Sequence, residues 1–428
     1  MNSLQTQALE ICCKKGENLF LTGAAGTGKS WTLCKIIQML RAAGKNVIPT
    51  APTGIAACAI AGSTIHHTFG ITRNQSISPK ASSIWPTIDV LVIDEVSMLS
   101  GSMLKLLESV ARRYRKSAAV FGGIQVIFCG DFFQLPPVFG PAESKDTELA
   151  FETELWYEIF QTSQICLTEI YRQENKAFMQ FLNGIRIGEV DTDYIQSLPQ
   201  SLSGEQEKLS TYIAAINETV TKRNEKYLQT LPGAVHAFEA FILVQKCPSG
   251  SDRLALQTRA KQEFQYRNVV QLKRGAVVML TANLSVEQGL ANGAKGTVED
   301  FCPQTGFPIC QIFPGGKNKD PIRFTVRPHQ FELTNTKLFR VVAAQLPLQL
   351  AHAMTVHKSQ GQSIDNVIID CSKIFAFGHA YTAFSRAINP ANLVITHFRE
   401  SVVRTDPKVL KFYAEMMKWN KRHMSVSV

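Results

Sequence analysis

The sequence predicts an α/β protein: a parallel sheet covered by helices on both faces, interrupted in its second half by a small β-rich module. Three observations predict it. A glycine-rich loop joins an apolar run to an amphipathic one within residues 19–40. Apolar, strand-like runs alternate with helical stretches over residues 1–140. Short β-rich runs, separated by Gly, Pro, Asn and Lys, fill residues 275–345.

Taken in order, residues 1–17 read as a helix leading into Leu19-Phe20-Leu21, an apolar run that suits a buried strand. Gly23-Ala24-Ala25-Gly26-Thr27-Gly28-Lys29-Ser30 follows, a Gly-x4-Gly-Lys-Ser phosphate-binding loop. It opens into a helix with Leu33, Ile36, Ile37 and Leu40 on one face. Strand end, loop and helix start are the context the motif needs. Backbone N–H groups and the helix N-terminus would face phosphate oxygens. Lys29 would reach the β- and γ-phosphates of ATP, and the Ser30 hydroxyl would bind Mg²⁺.

A second strand, Asn46–Ala51, ends in Pro52-Thr53-Gly54. The polar and aromatic loop Gly62–Gly70 comes next, then a Ser-, Pro- and Asn-rich excursion from Thr72 to Pro86. Val90–Ile93 is a fully apolar strand ending in Asp94 and Glu95. An acidic pair there can cap a helix. In this alternating pattern Asp94 is placed to hold Mg²⁺ and Glu95 to polarise an attacking water. Leu104–Tyr114 reads as a helix with Arg112, Arg113, Arg115 and Lys116, either a solvated face or a nucleic-acid contact. The strand Ile124–Cys129 delivers Gly130–Pro137, whose Gln134 can sense the γ-phosphate and orient water. All these motifs fall at the carboxyl ends of parallel strands, where ligands of such sheets bind.

The second half reads as a helix over Lys176–Ile187, a strand at Ile213–Ile216, a polar helix to Leu228, and the β-rich module. A helix near Gln349–Ser359, the strand Val367–Asp370, a helix near Gly378–Ala387 and the strand Leu393–Thr396 follow. Arg404–Arg422 reads as a basic amphipathic helix.

Composition narrows the class. The 428 residues are 45% apolar and carry a net charge of +10, which favours a polyanionic partner. No apolar run approaches the about 18 residues of a membrane span, so no membrane partner is expected. The ten cysteines form no Cys-x2-Cys pair and several sit in apolar runs. They read as buried thiols of a reducing compartment, not as zinc ligands or a disulfide frame. The first motif starts at Asn2, which leaves no stretch to read for targeting.

The ordered motifs resemble those of superfamily-one helicases. Carrying the resemblance are the phosphate loop, Ala51–Ala57, Ile93–Met98 and Gly130–Val138. The run Phe121-Gly122-Gly123-Ile124-Gln125, with Leu106–Arg112, resembles the stretch that marks the petite-integration-frequency (Pif) helicases. Leu167–Gln173, Leu231–Gly233, Asn292–Gly296, Leu346–Gly361 and Ala380–Ala387 extend the match over nearly the whole chain. It looks most like the eukaryotic helicase core, without an N-terminal extension.

The resemblance implies two RecA-like domains. Residues 1–165 would form the first, with a wedge excursion at about 71–86. Residues 166–274 and 346–428 would form the second, and 275–345 an SH3-like β-barrel insert. It also implies a 5′-to-3′ ATP-dependent DNA helicase, using ATP and Mg²⁺, acting on duplex, forked, RNA–DNA hybrid or G-quadruplex DNA in genome maintenance. A monomer in the nucleus and/or mitochondrion is expected. Asn2-x2-Gln5-x2-Ala8 matches the adenine-contacting Q motif, so Gln5 is carried over; Gly361 joins the nucleotide-binding set. Arg172 and Arg386 fall where two arginine fingers are expected. Candidate contacts to single-stranded DNA are Pro52, Thr53, Gly54, Thr64, His66, His357, Lys358, Ser359 and Gln360. Departures are Thr382 and Phe384, where the family more often has Val and Leu, the missing Lys-Pro before Phe121, and the short excursion at 72–86. That last bears on strand separation, not hydrolysis. Two other readings stand beside the helicase: a translocase that mainly displaces bound proteins, and a non-enzymatic single-strand-binding module.

Overall fold

A computed structural model describes the chain apart from residues 72–82, 139–146, 161–162, 205, 207–209, 246–249, 264–267, 286–287, 314–319, 336–339 and 425–428. It divides into two compact units, residues 1–217 with 354–428, and residues 218–353. Most of the expected 72–86 wedge therefore lies outside the described residues. What is described of it ends in Trp85, buried and stacked on Phe69 at 4.2 Å.

The first unit holds a six-stranded sheet. Its strands are β1 (Leu19–Gly23), β2 (Val47–Ala51), β3 (Ser63–Thr64), β4 (Val90–Ile93), β5 (Gln125–Cys129) and β6 (Gln164–Leu167). They lie in the order β3-β2-β4-β5-β1-β6, and every pair is parallel. Strands of such a sheet are covered on both faces and so read as continuous apolar runs; β1 and β4 are buried at every position. On one face the helix Lys29–Ala42 buries Leu33, Ile36, Ile37 and Leu40, the stripe read from the sequence. An aromatic cluster covers the other. Phe20 packs edge-on to Trp156 at 4.9 Å, beside Phe132, Phe160 and Phe412.

Phe412 belongs to the last helix, Pro407–Met424, which the sequence reading placed with the second RecA-like domain. Val409, Phe412, Tyr413 and Met416 form its buried stripe. Phe412 stacks on Phe151 at 4.6 Å, so this stripe packs on the first sheet. The basic cluster near residue 112 is largely structural. Arg115 donates to the carbonyls of Gly122 and Ile88, and Arg112 pairs with Glu108. A second sheet of this unit runs β18-β7-β19-β20, with β7 (Thr211–Ala214), β18 (Ala353–Thr355), β19 (Val367–Asp370) and β20 (Leu393–Thr396). The expected boundary at residue 165 falls inside β6, whose pairing with β1 carries the first sheet on to Leu167.

The second unit is β-rich, as read from residues 275–345, and its described strands fall into more than one sheet. A five-stranded antiparallel sheet runs β14-β13-β12-β11-β17, with β11 (Val277–Leu280), β12 (Lys295–Phe301), β13 (Pro308–Ile312), β14 (Ile322–Thr325) and β17 (Leu348–Leu350). The run near residues 340–345 leaves it. As β16 (Arg340–Gln345) it pairs with β15 (His329–Asn335) and with β9 (Phe241–Gln245). Ile242, Val244, Val341 and Ala343 share a separate core. The register decides this: Val341 opposite Val244 and Ala343 opposite Ile242 gather four apolar side chains on one face. A second difference lies at Gln349–Ser359, read as a helix. Leu348 and Leu350 pair with β11, and only Val356–Ser359 is helical, capped by Thr355.

Gly296 of β12 tests the packing here. A methyl group built on it would lie 2.2 Å from the Gln311 carbonyl oxygen and 2.6 Å from Ile312 Cδ1. Gly296→Ala is expected to cost about 1–3 kcal/mol by overpacking, read as a lower urea midpoint for this unit; an unchanged midpoint would contradict the packing.

Two imidazoles are buried in the uncharged form. Burial, with the nearby charges of Arg223 and Lys295, pushes His352 down to about 4; it stacks on Tyr227 at 4.0 Å. Burial, with His357 beside it, pushes His379 down to about 4. Both folded values lie below the ordinary 6.5, so the unfolded chain binds more protons between pH 4 and 6.5. Stability is therefore present above about pH 6.5 and lost as pH falls toward 4, by about 2 kcal/mol per group. Thermal melts at pH 7.5 and 5.0 check this. His379→Gln is expected to lose less between the two than the wild-type chain, and equal losses would sink the assignment.

Candidate active site

The phosphate loop leaves the end of β1, and its geometry depends on glycine. Gly28 is left-handed at φ +82° and opens the helix Lys29–Ala42. Gly26, at φ +84°, lies so close to the segment after β6 that an added methyl would meet Arg172 Cβ at 2.7 Å. The Lys29 ammonium donates to the Gly23 and Ala24 carbonyls at 2.8 and 3.0 Å. Thr27 closes the turn with a bond to Ala24 O. Ala25 gives its N–H to the Tyr381 hydroxyl at 2.8 Å. Gln5 is buried, boxed with Asn2 at the start of the first helix, and its amide lies against Gly28.

The acidic pair comes from the end of β4. Ser30 Oγ donates to Asp94 Oδ2 at 3.1 Å, and Glu95 N–H donates to Asp94 Oδ1 at 2.9 Å. Burial and the neighbouring Glu95 push the Asp94 carboxyl up to about 6. Glu95 adopts left-handed angles, φ 51° and ψ 46°, which are unfavourable for a residue with a side chain. That turn aims its carboxylate at Gln360, whose amide donates to Glu95 Oε2 at 3.0 Å and to Ser97 Oγ at 3.3 Å. Gly361 adjoins the same carboxylate. Gln134 arrives on the loop after β5. A methyl group built on Gly130 of that loop would meet the backbone of Val96 and Glu95. The side-chain oxygens of Gln134, Gln173 and Gln360 are buried with no hydrogen-bond partner among the described residues.

Arg386 is buried to 2% exposure and Arg172 is half-buried. Arg172 donates to the Ser385 carbonyl at 3.1 Å. Arg386 donates to Thr382 O, Gln362 O and Ser385 Oγ. Among the described residues neither is ion-paired, so neither is a surface salt bridge. Burial, then the charge of Arg172, pulls Arg386 down to about 10.

The nucleic-acid candidates divide. The parallel pairing of β2 with β3 brings Pro52–Gly54 and Thr64–His66 to one end of the sheet. Thr53 and Thr64 cap the short helices that follow, accepting from Ala56 and His67 N–H. His66 and Lys358 are exposed, and His357 is half-buried. Ser359 and Gln360 lie inward. Ser359 is fully buried and bonds Val356 O, while Gln360 faces the acidic pair, not an open surface. Thr355 caps this turn and Glu95 is available as an acceptor, which draws both side chains inward.

Sequence reasoning missed a buried network beside the site. Asp131, fully buried, accepts two bonds from Arg186 at 3.0 and 2.9 Å and one from Tyr381 at 3.2 Å. Tyr413 OH reaches it at 3.4 Å and Thr22 at 2.6 Å. The one available signal was an acid directly after Gly130 in a strand-end loop.

The arrangement is a phosphate cradle with a buried carboxylate pair on one side and unpaired guanidinium groups on the other. Comparison with known proteins agrees. Residues 3–195 match the PIF1-like helicase family, and residues 256–301 match the 2B domain of the DNA helicase Pif1. The ATP-dependent DNA helicase PIF1 of Xenopus laevis is 38% identical over 94% of this chain, which spans 62% of that relative's length. The crystal structure of a Candida albicans Pif1 helicase superposes with a TM-score of 0.86 at 32% identity, over 97% of this chain and 99% of that one. Bacteroides Pif1 bound to single-stranded DNA gives 0.77 at 25% identity, over 98% and 97%. The chain belongs to the PIF1-like helicase family.

Proposed function

We propose that the chain is an ATP-dependent motor that moves 5′-to-3′ along single-stranded DNA and separates paired strands. One observation carries the reading: Arg172, half-buried, and Arg386, buried, are two like charges that repel each other beside the phosphate loop, with no ion-paired carboxylate among the described residues. Buried charge is costly unless paired. The terminal phosphates of ATP are the anion that would pair them. Relatives named as ATP-dependent DNA helicases, and a neighbour solved with single-stranded DNA, support the substrate classes.

In this reading Lys29 leaves the loop carbonyls for the β- and γ-phosphates. Ser30 and Asp94 fit a Mg²⁺ site: two oxygens already converge there, and the carboxyl is strained by burial in a way a cation would relieve. A bound Mg²⁺ supplies charge neutralisation on the transferring phosphoryl group. Glu95 takes a proton from the attacking water, and Gln134, with its free side-chain oxygen, orients that water. Arg172 and Arg386 stabilise charge developing on the γ-phosphate. Gln5 contacts adenine, and Gly361 keeps the space beside Glu95 open. Pro52, Thr53, Gly54, Thr64, His66, His357 and Lys358 hold the strand. A monomer acting on forked or structured DNA in the nucleus or mitochondrion fits the family.

Gel-based unwinding of duplexes with a 5′ or a 3′ tail tests this, with ATP and Mg²⁺ present. Only the 5′-tailed duplex is expected to open. Lys29→Ala is expected to lower the rate at least about 100-fold, the scale of losing a charged transition-state contact. Unwinding of the 3′-tailed duplex instead would overturn the direction, and an active Lys29→Ala would overturn the site.

A further inference from the structure

The helix His379–Phe384 is short, and all six of its residues are buried. It touches three functional segments at once. Its Tyr381 hydroxyl accepts from Ala25 N–H of the phosphate loop at 2.8 Å and donates to Asp131 Oδ2 at 3.2 Å. Gly378, which caps it, presses on the loop that carries Gln134; a methyl built there would lie 2.4 Å from Gln134 O. The His379 ring meets the His357 ring edge-on at 5.3 Å. A close-packed element of this size shifts as a unit instead of deforming. Any turn of Ala25 when a phosphate enters the loop must therefore break the bond to Tyr381 or carry the helix with it.

We propose that Tyr381 is a positioning residue that couples occupancy of the phosphate loop to the strand-binding segment at His357; the proposal rests on the motor reading above. Its hydroxyl is the direct bond from this helix to the loop backbone. Asp131 does not depend on it, because Arg186 holds that carboxylate with two bonds of its own. Removing the Tyr381 hydroxyl thus frees Ala25 without releasing the network behind it. Tyr413 is the internal contrast. It bonds Thr22 and Asp131 in the same network, whereas the Ala25 N–H goes to Tyr381.

The test is the affinity of the full chain for a fluorescent non-hydrolysable ATP analogue, with and without saturating oligo-dT. The ratio of the two dissociation constants measures coupling. In the wild-type chain it is expected to differ from one by at least about fivefold. In Tyr381→Phe it is expected to fall within about twofold of one. Tyr413→Phe is expected to melt at lower temperature yet keep the wild-type ratio. His379→Gln, which cuts the ring contact and leaves the Ala25 bond, is expected to lose the ratio too, and it serves if Tyr381→Phe folds poorly. An unchanged ratio in Tyr381→Phe, or an equal loss in Tyr413→Phe, overturns the proposal. A wild-type chain that unwinds DNA with a ratio of one overturns the proposal and leaves the motor reading standing. A wild-type chain that binds no strand overturns both.

Discussion

The buried pair of Asp131 and Arg186 is the constraint on which the site depends. A carboxylate with no exposure survives only if its charge is matched and its lone pairs are used. Here Arg186 supplies a two-bond fork, and Tyr381 and Tyr413 add hydroxyl contacts. The guanidinium lies 4.2 Å from the Phe133 ring centre and 5.3 Å from that of Tyr413. Arg186 is in turn tied through its carbonyl to Thr405. Three stretches far apart in sequence thus meet on one side chain at the end of β5. The loop that carries Gln134 is fixed from behind by side chains of the helices Lys176–Ile187, His379–Phe384 and Pro407–Met424.

Charge in front of that loop is left deliberately unbalanced. Asp94 and Glu95 repel one another under burial, and Arg172 and Arg386 do the same. Each set would be relieved by the other, yet hydrogen bonds to neutral groups hold them apart: Ser30 for Asp94, Gln360 for Glu95, and carbonyls for both arginines. Direct pairing would collapse the space a nucleotide needs. Keeping the opposite charges separate preserves an electrostatic field across the cradle, and preorganised fields of this kind carry much of phosphoryl-transfer catalysis.

Much of this was legible in the sequence, for identifiable reasons. The phosphate loop, β4 with its acids, and the helix face through Leu40 could be read because short-range spacing determines them. The helix Lys176–Ile187 and the strands β19 and β20 were likewise clear. What escaped were choices between distant partners. Nothing near β16 indicates that β9, about a hundred residues earlier, is its neighbour, since antiparallel runs of Val and Ala suit many edges. Arg186 looks like an ordinary basic residue in the last turn of a helix. Only the fold reveals that its target is Asp131. The inward setting of Ser359 and Gln360 was hidden for a related reason: only the fold brings Glu95 within reach of Gln360.

The docking of the last helix has a consequence for how the protein is made. Phe20 and Trp156 emerge from the ribosome early, but Phe412, which packs against both, follows some 250 residues later. Until then the aromatic face of the first sheet has no cover from that helix. Cover of that face by the last helix is therefore completed only at the end of synthesis, whereas domains of multidomain proteins commonly fold as units while the chain is being made. Its completion waits for the intervening sequence to be translated, leaving a sticky surface that must be shielded in the meantime. A shortened product ending before Tyr413 would lack both that cover and the hydroxyl on Asp131, so early termination would damage the nucleotide lobe even though every nucleotide motif had already been made.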